Sequence, residues 1–221
     1  MIPREVVGVA EVPGGPPLRL VRHGGDFMIM LDRNELMSSR MSGSEVALGT
    51  MTLARLATPE PRLLIGGYGM GFTLRAVLAA IGPGARVSVA ELVPGVIDWA
   101  RGPMQEMTGG CLDDPRVEIR IDDVGKVIGE ARGAYDAILL DVDNGPDGLT
   151  RQSNDGLYTA RGLDRARAAL RPGGILAVWS ASADTAFTRR LNLAGFAIDE
   201  VKVRARENGK GPTHTIWFAR A

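Results

Sequence analysis

The chain has 221 residues, 26 Lys and Arg against 26 Asp and Glu, and a hydrophobic content of 45%. That is enough for one full α/β domain with a real core and a small extension, and the balanced charge excludes a global attraction to nucleic acid or to an anionic membrane. A single Cys, Cys111, excludes an internal disulfide and a cysteine zinc cluster, two His (His23 and His214) argue against a histidine metal site, and the lack of a bilayer-length apolar run or a signal-peptide pattern predicts a cytoplasmic protein.

Residues 1–58 form an N-terminal β-extension with a lead-in helix. Val6 to Val12, Leu18 to Arg22 and Asp26 to Leu31 predict short strands, separated by Pro13-Gly14-Gly15-Pro16-Pro17 and His23-Gly24-Gly25. Glu45 to Leu56 predicts a helix running toward Pro59. Residues 59–221 then predict a nucleoside-binding α/β domain.

That domain opens on the most informative stretch. Leu63-Leu64-Ile65 predicts a strand, Gly66-Gly67-Tyr68-Gly69-Met70-Gly71 a tight turn, and Phe72 to Leu78 a helix. Glycines in such a turn let the backbone approach a ligand, and the helix start behind it offers unpaired N–H groups. The dinucleotide fingerprint needs a small residue three places after its second glycine, but Phe72 or Leu74 stands there, which argues against NAD. A phosphate loop needs Gly-Lys-Ser/Thr, and no Lys is near, which argues against ATP. What remains is G-x-G-x-G, the loop of transferases that use S-adenosylmethionine-type donors, with Gly66, Gly67, Gly69 and Gly71 as its binding residues.

Ala85 to Ala90 predicts the second strand, and Glu91 at its tip is placed to accept both hydroxyls of a ribose. Pro115 to Ile121 alternates like a strand and stops at Asp122-Asp123, before a short helix over Val124 to Ala131. One of these Asp residues is explained as a helix cap; the other is available for the adenine amino group, a role assigned to Asp123.

Tyr135 to Leu140 is an apolar run suited to a strand buried on both faces, and it ends in Asp141-Val142-Asp143-Asn144-Gly145-Pro146-Asp147-Gly148. Three carboxylates in one loop need water, a cation or a cationic substrate to compensate them. The D-x-D-x-G pattern also suits hard oxygen ligation, but the glutamate that closes a calcium loop is replaced by Gln152, and no metal is assigned. Leu157 to Leu170 predicts a helix stopped by Arg171-Pro172-Gly173-Gly174, Ile175 to Trp179 a fifth strand, and Ala183 to Leu193 another helix. Phe196 to Val203 and Thr213 to Phe218 predict a terminal antiparallel pair. The whole is a Rossmann-like doubly wound sheet of about seven strands, with ligand across its carboxyl edge, where the glycine loop, Glu91, Asp123 and Asp141 converge.

This order of motifs resembles the spermidine synthase (polyamine aminopropyltransferase) family, which shares the class I S-adenosylmethionine-dependent methyltransferase fold. The resemblance runs from about Phe27 to the C-terminus. It is carried by Leu63 to Leu78, Asp114-Pro115-Arg116-Val117 with Asp123 beyond, Tyr135 to Asp141, Arg171 to Leu176, and Met37-Ser38-Ser39-Arg40 to Ser44-Glu45. It implies ribose binding by Glu91, adenine binding by Asp123, amine activation by Asp141, a polyamine-holding role for Glu45, and a homodimer. The chain departs from the family where G-G-G-D-G-G becomes Gly66 to Gly71 without an acid, where Tyr-His becomes Gly43-Ser44, and where D-S-S-D-P becomes Asp141 to Gly145.

The first functional reading is aminopropyl transfer to a small cationic amine, with Asp141 as base and Asp143, Asp147 or Glu45 holding the distal ammonium. The donor is S-adenosylmethionine or its decarboxylated form. The alternatives are methyl transfer from ordinary S-adenosylmethionine, which tolerates the acid-free loop better, and a non-catalytic nucleoside-binding module.

Overall fold

The computed structural model describes residues 3–142 and 155–221. Asp143 and Asp147, and with them the D-x-D-x-G reading, lie outside the described residues. Two sheets organise the chain. The first is a four-stranded antiparallel meander in the order β1 (Arg4–Ala10), β2 (Leu18–His23), β3 (Asp26–Leu31) and β4 (Asn34–Ser38). Three strands were expected. The fourth pairs Met28 with Ser38 and Leu31 with Asn34, and its Asn-Glu-Leu-Met-Ser sequence gives little period-2 signal by itself.

The second sheet has seven strands, the number the sequence predicts, in the order β10-β11-β9-β8-β5-β6-β7. These are β5 (Arg62–Gly66), β6 (Arg86–Glu91), β7 (Val117–Ile121), β8 (Tyr135–Leu140), β9 (Leu170–Ser180), β10 (Ala197–Arg204) and β11 (Thr213–Arg220). β5 to β9 run parallel, and β11 and β10 close one edge antiparallel. Leu63, Leu64 and Ile65 of β5 are at most 1% exposed, because this central strand is covered on both faces. Strand order reverses between β5 and β8, so the crevice where a ligand binds in such folds opens at the carboxyl ends of those two strands.

The helices are α1 (Gly43–Leu53), α2 (Phe72–Leu78), α3 (Pro94–Arg101), α4 (Gln105–Thr108), α5 (Val124–Glu130), α6 (Asp155–Tyr158), α7 (Ala160–Ala169) and α8 (Thr185–Leu193), with a 3-10 turn at Cys111–Asp113. The single helix expected from Leu157 to Leu170 is broken. Thr159 adopts an extended conformation and its hydroxyl accepts the Gly162 N–H, so α7 starts with its own cap. The helix stops at Ala169, one residue before the expected end, and Leu170 to Gly174 belongs to β9, which bulges there: Tyr135 pairs with Leu170 and Ala137 with Ile175. Arg116 anchors the other end of the sheet, bridging Asp114 at 2.7 Å while donating to the Ile81 and Leu78 carbonyls at the end of α2. α1 leaves the small sheet and packs against α2 and against β8 to β11, which carries its first turn to the crevice.

Candidate active site

A cavity of about 600 Å³ lies between the small sheet and the carboxyl edge of the large one. One wall is apolar and comes from β2 to β4, with Leu18, Ile29, Leu31, Leu36 and Met37. The opposite wall carries Glu91, Asp122, Asp123 and Asp141, and among the described residues that line the cavity there is no Lys, Arg or His. A phosphate group would meet carboxylates there, whereas a sulfonium or an ammonium would be attracted.

The glycine loop forms the floor. Gly67 has φ +83 and a Cβ there would stand 2.5 Å from the Asp141 carbonyl, so only glycine lets the loop cross the end of β8. Gly69 has φ +55, and a Cβ there would lie 2.8 Å from the sulfur of Met37. Aligned on the six residues from Gly66 to Gly71, the family's loop acid falls on Gly69, and Met37 of β4 fills the space where its side chain would begin. Tyr68 turns away from the cavity: it is 4% exposed, its hydroxyl lies 3.4 Å from the buried Cys111 sulfur, and burial pushes its phenol upward.

Glu91 ends β6 at the cavity, 7% exposed. Its Oε2 accepts the Tyr68 N–H at 2.9 Å and its Oε1 the Val93 N–H at 2.8 Å. The carboxylate thus clamps the glycine loop to the turn before α3 while keeping lone pairs for a ligand. Burial raises its carboxyl, against the pull of these backbone donors.

The division of roles between the two adjacent acids is not the one expected. Asp123 is the cap of α5, its Oδ1 accepting the Lys126 N–H at 3.1 Å, while Asp122 accepts the Asp123 N–H and pairs with the Lys126 ammonium at 2.9 Å. That ammonium holds the Asp122 carboxyl below its ordinary range. Both residues line the cavity, and the capping bond of Asp123 is accepted at Oδ1.

Asp141 follows β8 at the switch point, its backbone N–H donating to Gly66. Its Oδ2 accepts the Thr73 hydroxyl at 3.0 Å, and the same hydroxyl lies 3.2 Å from the Glu45 carbonyl. Thr73, in the first turn of α2, thereby ties Asp141 to the start of α1. Glu45 faces Asp141 across this contact. Burial, then the charge of Asp141, push the Glu45 carboxyl up to about 8, and burial pushes Asp141 to about 6 against the Thr73 hydrogen bond. Two desolvated carboxyls side by side form a place that favours a cation or a shared proton. Behind Glu45, Ser44 donates to its Oε2 at 3.1 Å, and His214 Nδ1 lies 2.9 Å from the Ser44 hydroxyl.

The structure therefore brings Gly67, Gly69, Glu91, Asp123 and Asp141 to one cavity, with Glu45 adjacent through Thr73. Gly66 and Gly71 flank the loop without lining the cavity. Thr73, Ser44, Met37 and His214 carry no roles in the sequence reading. Thr73 stands one residue into a helix already assigned, which is a usable signal; His214 lies 170 residues from Ser44, and no local pattern joins them. Among the described residues no group of three or more His, Cys, Asp or Glu is arranged to hold a metal ion, and no helix is long and apolar enough to cross a membrane.

Comparison with known proteins bears on the family and the fold. The spermine/spermidine synthase domain matches residues 44–190, more than half of the chain. A polyamine aminopropyltransferase of Korarchaeum cryptofilum is 35% identical over 129 residues, covering 58% of this chain and 38% of its own. Polyamine aminopropyltransferase 1 of Streptomyces coelicolor is 32% identical over 156 residues, covering 67% of this chain and 28% of its own. The chain thus spans little more than a third, or less, of these curated relatives. Spermidine synthase from Thermotoga maritima shares the fold, with a TM-score of 0.76 at 19% identity over 97% of this chain and 72% of its own. A spermidine synthase in complex with the transition-state analogue AdoDATO superposes with a TM-score of 0.75 at 19% identity. By the extent of the domain match, the chain belongs to the spermine/spermidine synthase family.

Proposed function

We propose that the chain transfers an aminopropyl group from an adenosyl sulfonium donor to a small polyamine. The observation that carries this reading is the desolvated Asp141 carboxyl in a cavity lined by acids and by no cation among its described residues, with Glu45, whose backbone carbonyl shares the Thr73 hydroxyl with Asp141, close enough for the Asp141 charge to raise its own carboxyl. The family's polyamine aminopropyltransferases support it. Methyl transfer has no comparable support.

In this reading the adenosine lies along the loop, with its ribose hydroxyls toward Glu91, its adenine amino group toward Asp123 and its sulfonium near Gly69 and Met37. The reacting ammonium sits at Asp141 and gives it a proton. The freed lone pair attacks the methylene next to sulfur, the N–C bond forms, and the C–S pair of electrons returns to sulfur, leaving neutral methylthioadenosine. Burial pushes the Asp141 carboxyl up to about 6, which leaves it ionised at neutral pH yet weakly enough hydrated to act as a base. Glu45 ionises as the cation arrives and holds its second charge. Asp143 and Asp147 are assigned as further amine contacts. The reading also places the protein in the cytoplasm, in keeping with its lone cysteine, and makes it a homodimer, as in the family it resembles.

Incubation of the purified chain with decarboxylated S-adenosylmethionine and putrescine, followed by mass spectrometry, is expected to show spermidine and methylthioadenosine in equal amounts. Methylated amine from ordinary S-adenosylmethionine, with no aminopropyl product, overturns the assignment.

A further inference from the structure

The acid that is proposed to hold the amine is linked by hydrogen bonds to a histidine of β11, the strand next to the antiparallel edge of the large sheet. Ser44 is fully buried, and its hydroxyl touches two partners: Glu45 Oε2 at 3.1 Å and His214 Nδ1 at 2.9 Å. One hydroxyl has one proton, so it donates to only one of them at a time. His214 stands on β11 opposite Val203, half-buried, with its ring edge-on to Trp179 at 4.8 Å. It lies outside the 44–190 family match.

We propose that Ser44 and His214 are positioning residues that link amine capture at Glu45 to proton release at the imidazole. This rests on Glu45 being an amine-holding residue. When Glu45 is protonated, its O–H donates to Ser44, Ser44 donates to Nδ1, and the ring carries its proton on Nε2. When an ammonium arrives, the Glu45 proton moves to the Ser44 oxygen and the Ser44 proton moves to Nδ1. The Nε2 proton leaves to water. Glu45 is then a carboxylate that receives a hydrogen bond from Ser44 and pairs with the cation, and one proton has left for one positive charge taken in. The imidazole remains neutral in both states and changes only its tautomer.

Just after β8, Asp141 opposes the ionisation of Glu45 until the cation is present. On β10, Lys202 and Arg204 flank Val203 and alternate to the opposite face of the hairpin. Glu207, beyond β10, accepts the Ser42 hydroxyl at the start of α1. Burial lowers the imidazole, which keeps it neutral near pH 7, and the Glu45 carboxyl at about 8 keeps its proton there until a cation displaces it.

With two histidines in the chain, nitrogen-15 NMR of histidine-labelled protein resolves this directly. In the wild type at pH 7 with methylthioadenosine present, saturating putrescine is expected to move the His214 ring from the Nε2–H to the Nδ1–H pattern and to leave His23 unchanged. E45Q and S44A are each expected to abolish that response. A His214 pattern that ignores bound putrescine, or that responds equally in S44A, overturns the linkage. If calorimetry shows that putrescine does not bind the wild type, the functional reading fails instead, and the linkage is then tested by raising pH through 8 without amine: the same tautomer change must appear in the wild type and be absent in E45Q.

Discussion

Replacing Glu45 by Gln is expected to flatten the dependence of stability on pH. The carboxyl is moved from 4.5 to about 8, first by burial and then by the charge of Asp141. Because the folded value is raised, the folded chain keeps a proton that the unfolded chain gives up above pH 4.5. The associated stability is therefore whole below that pH and is lost progressively as pH rises toward 8, at up to about 1.4 kcal/mol per pH unit. Glutamine keeps the shape but cannot titrate. Between pH 5 and pH 8 the wild type should lose up to about 4 kcal/mol relative to E45Q, which for a chain of this length widens the difference in Tm by up to roughly 8–16 °C. Thermal unfolding followed by circular dichroism at half-unit steps measures this. Putrescine should narrow the gap in the wild type, since a bound ammonium stabilises the ionised acid. A Tm difference that stays constant from pH 5 to pH 8 refutes the claim that Glu45 is held as a protonated, desolvated acid.

Asp141→Asn is expected to lower kcat by about 10²- to 10⁴-fold while methylthioadenosine affinity stays within about twofold, because the residue acts on the amine; equal loss of both makes Asp141 a structural part of the loop. Glu91→Gln should weaken adenosyl ligands about tenfold or more. It should also cost about 1–3 kcal/mol of stability, since its amide NH₂ would face the Tyr68 or Val93 N–H. An unchanged Kd removes Glu91 from the nucleoside site. At Gly69 an aspartate tolerates the positive φ but meets the Met37 sulfur, so Gly69→Asp paired with Met37→Ala is the testable form. It should shift donor preference toward decarboxylated S-adenosylmethionine by about tenfold, through pairing with its ammonium and repulsion of the carboxylate that the ordinary donor keeps; a preference equal to that of the wild type shows that position 69 does not face the donor's tail.

Local chemistry accounts for what the sequence determined by itself. The apolar run Leu63 to Ile65 before a glycine turn, the run Tyr135 to Leu140 before Asp141, and the acid ending Ala85 to Glu91 are features written in consecutive residues. A doubly wound sheet brings the carboxyl ends of neighbouring strands to one edge, so those residues converge once the strand order is granted. What consecutive residues could not contain is any contact between distant segments. The fourth strand of the N-terminal meander exists because it pairs with β3. The choice of Asp123 as cap depends on the backbone entering α5 in an extended conformation at that residue, which two adjacent aspartates leave undecided. The cavity's apolar wall, the Met37 sulfur over Gly69, the Thr73 bridge between Glu45 and Asp141, and the line from Glu45 through Ser44 to His214 all depend on packing α1 and the small sheet against the large one. The raised carboxyls follow for the same reason: the ordinary value of an acid belongs to its type, but its displacement belongs to the neighbours and the water that the fold removes.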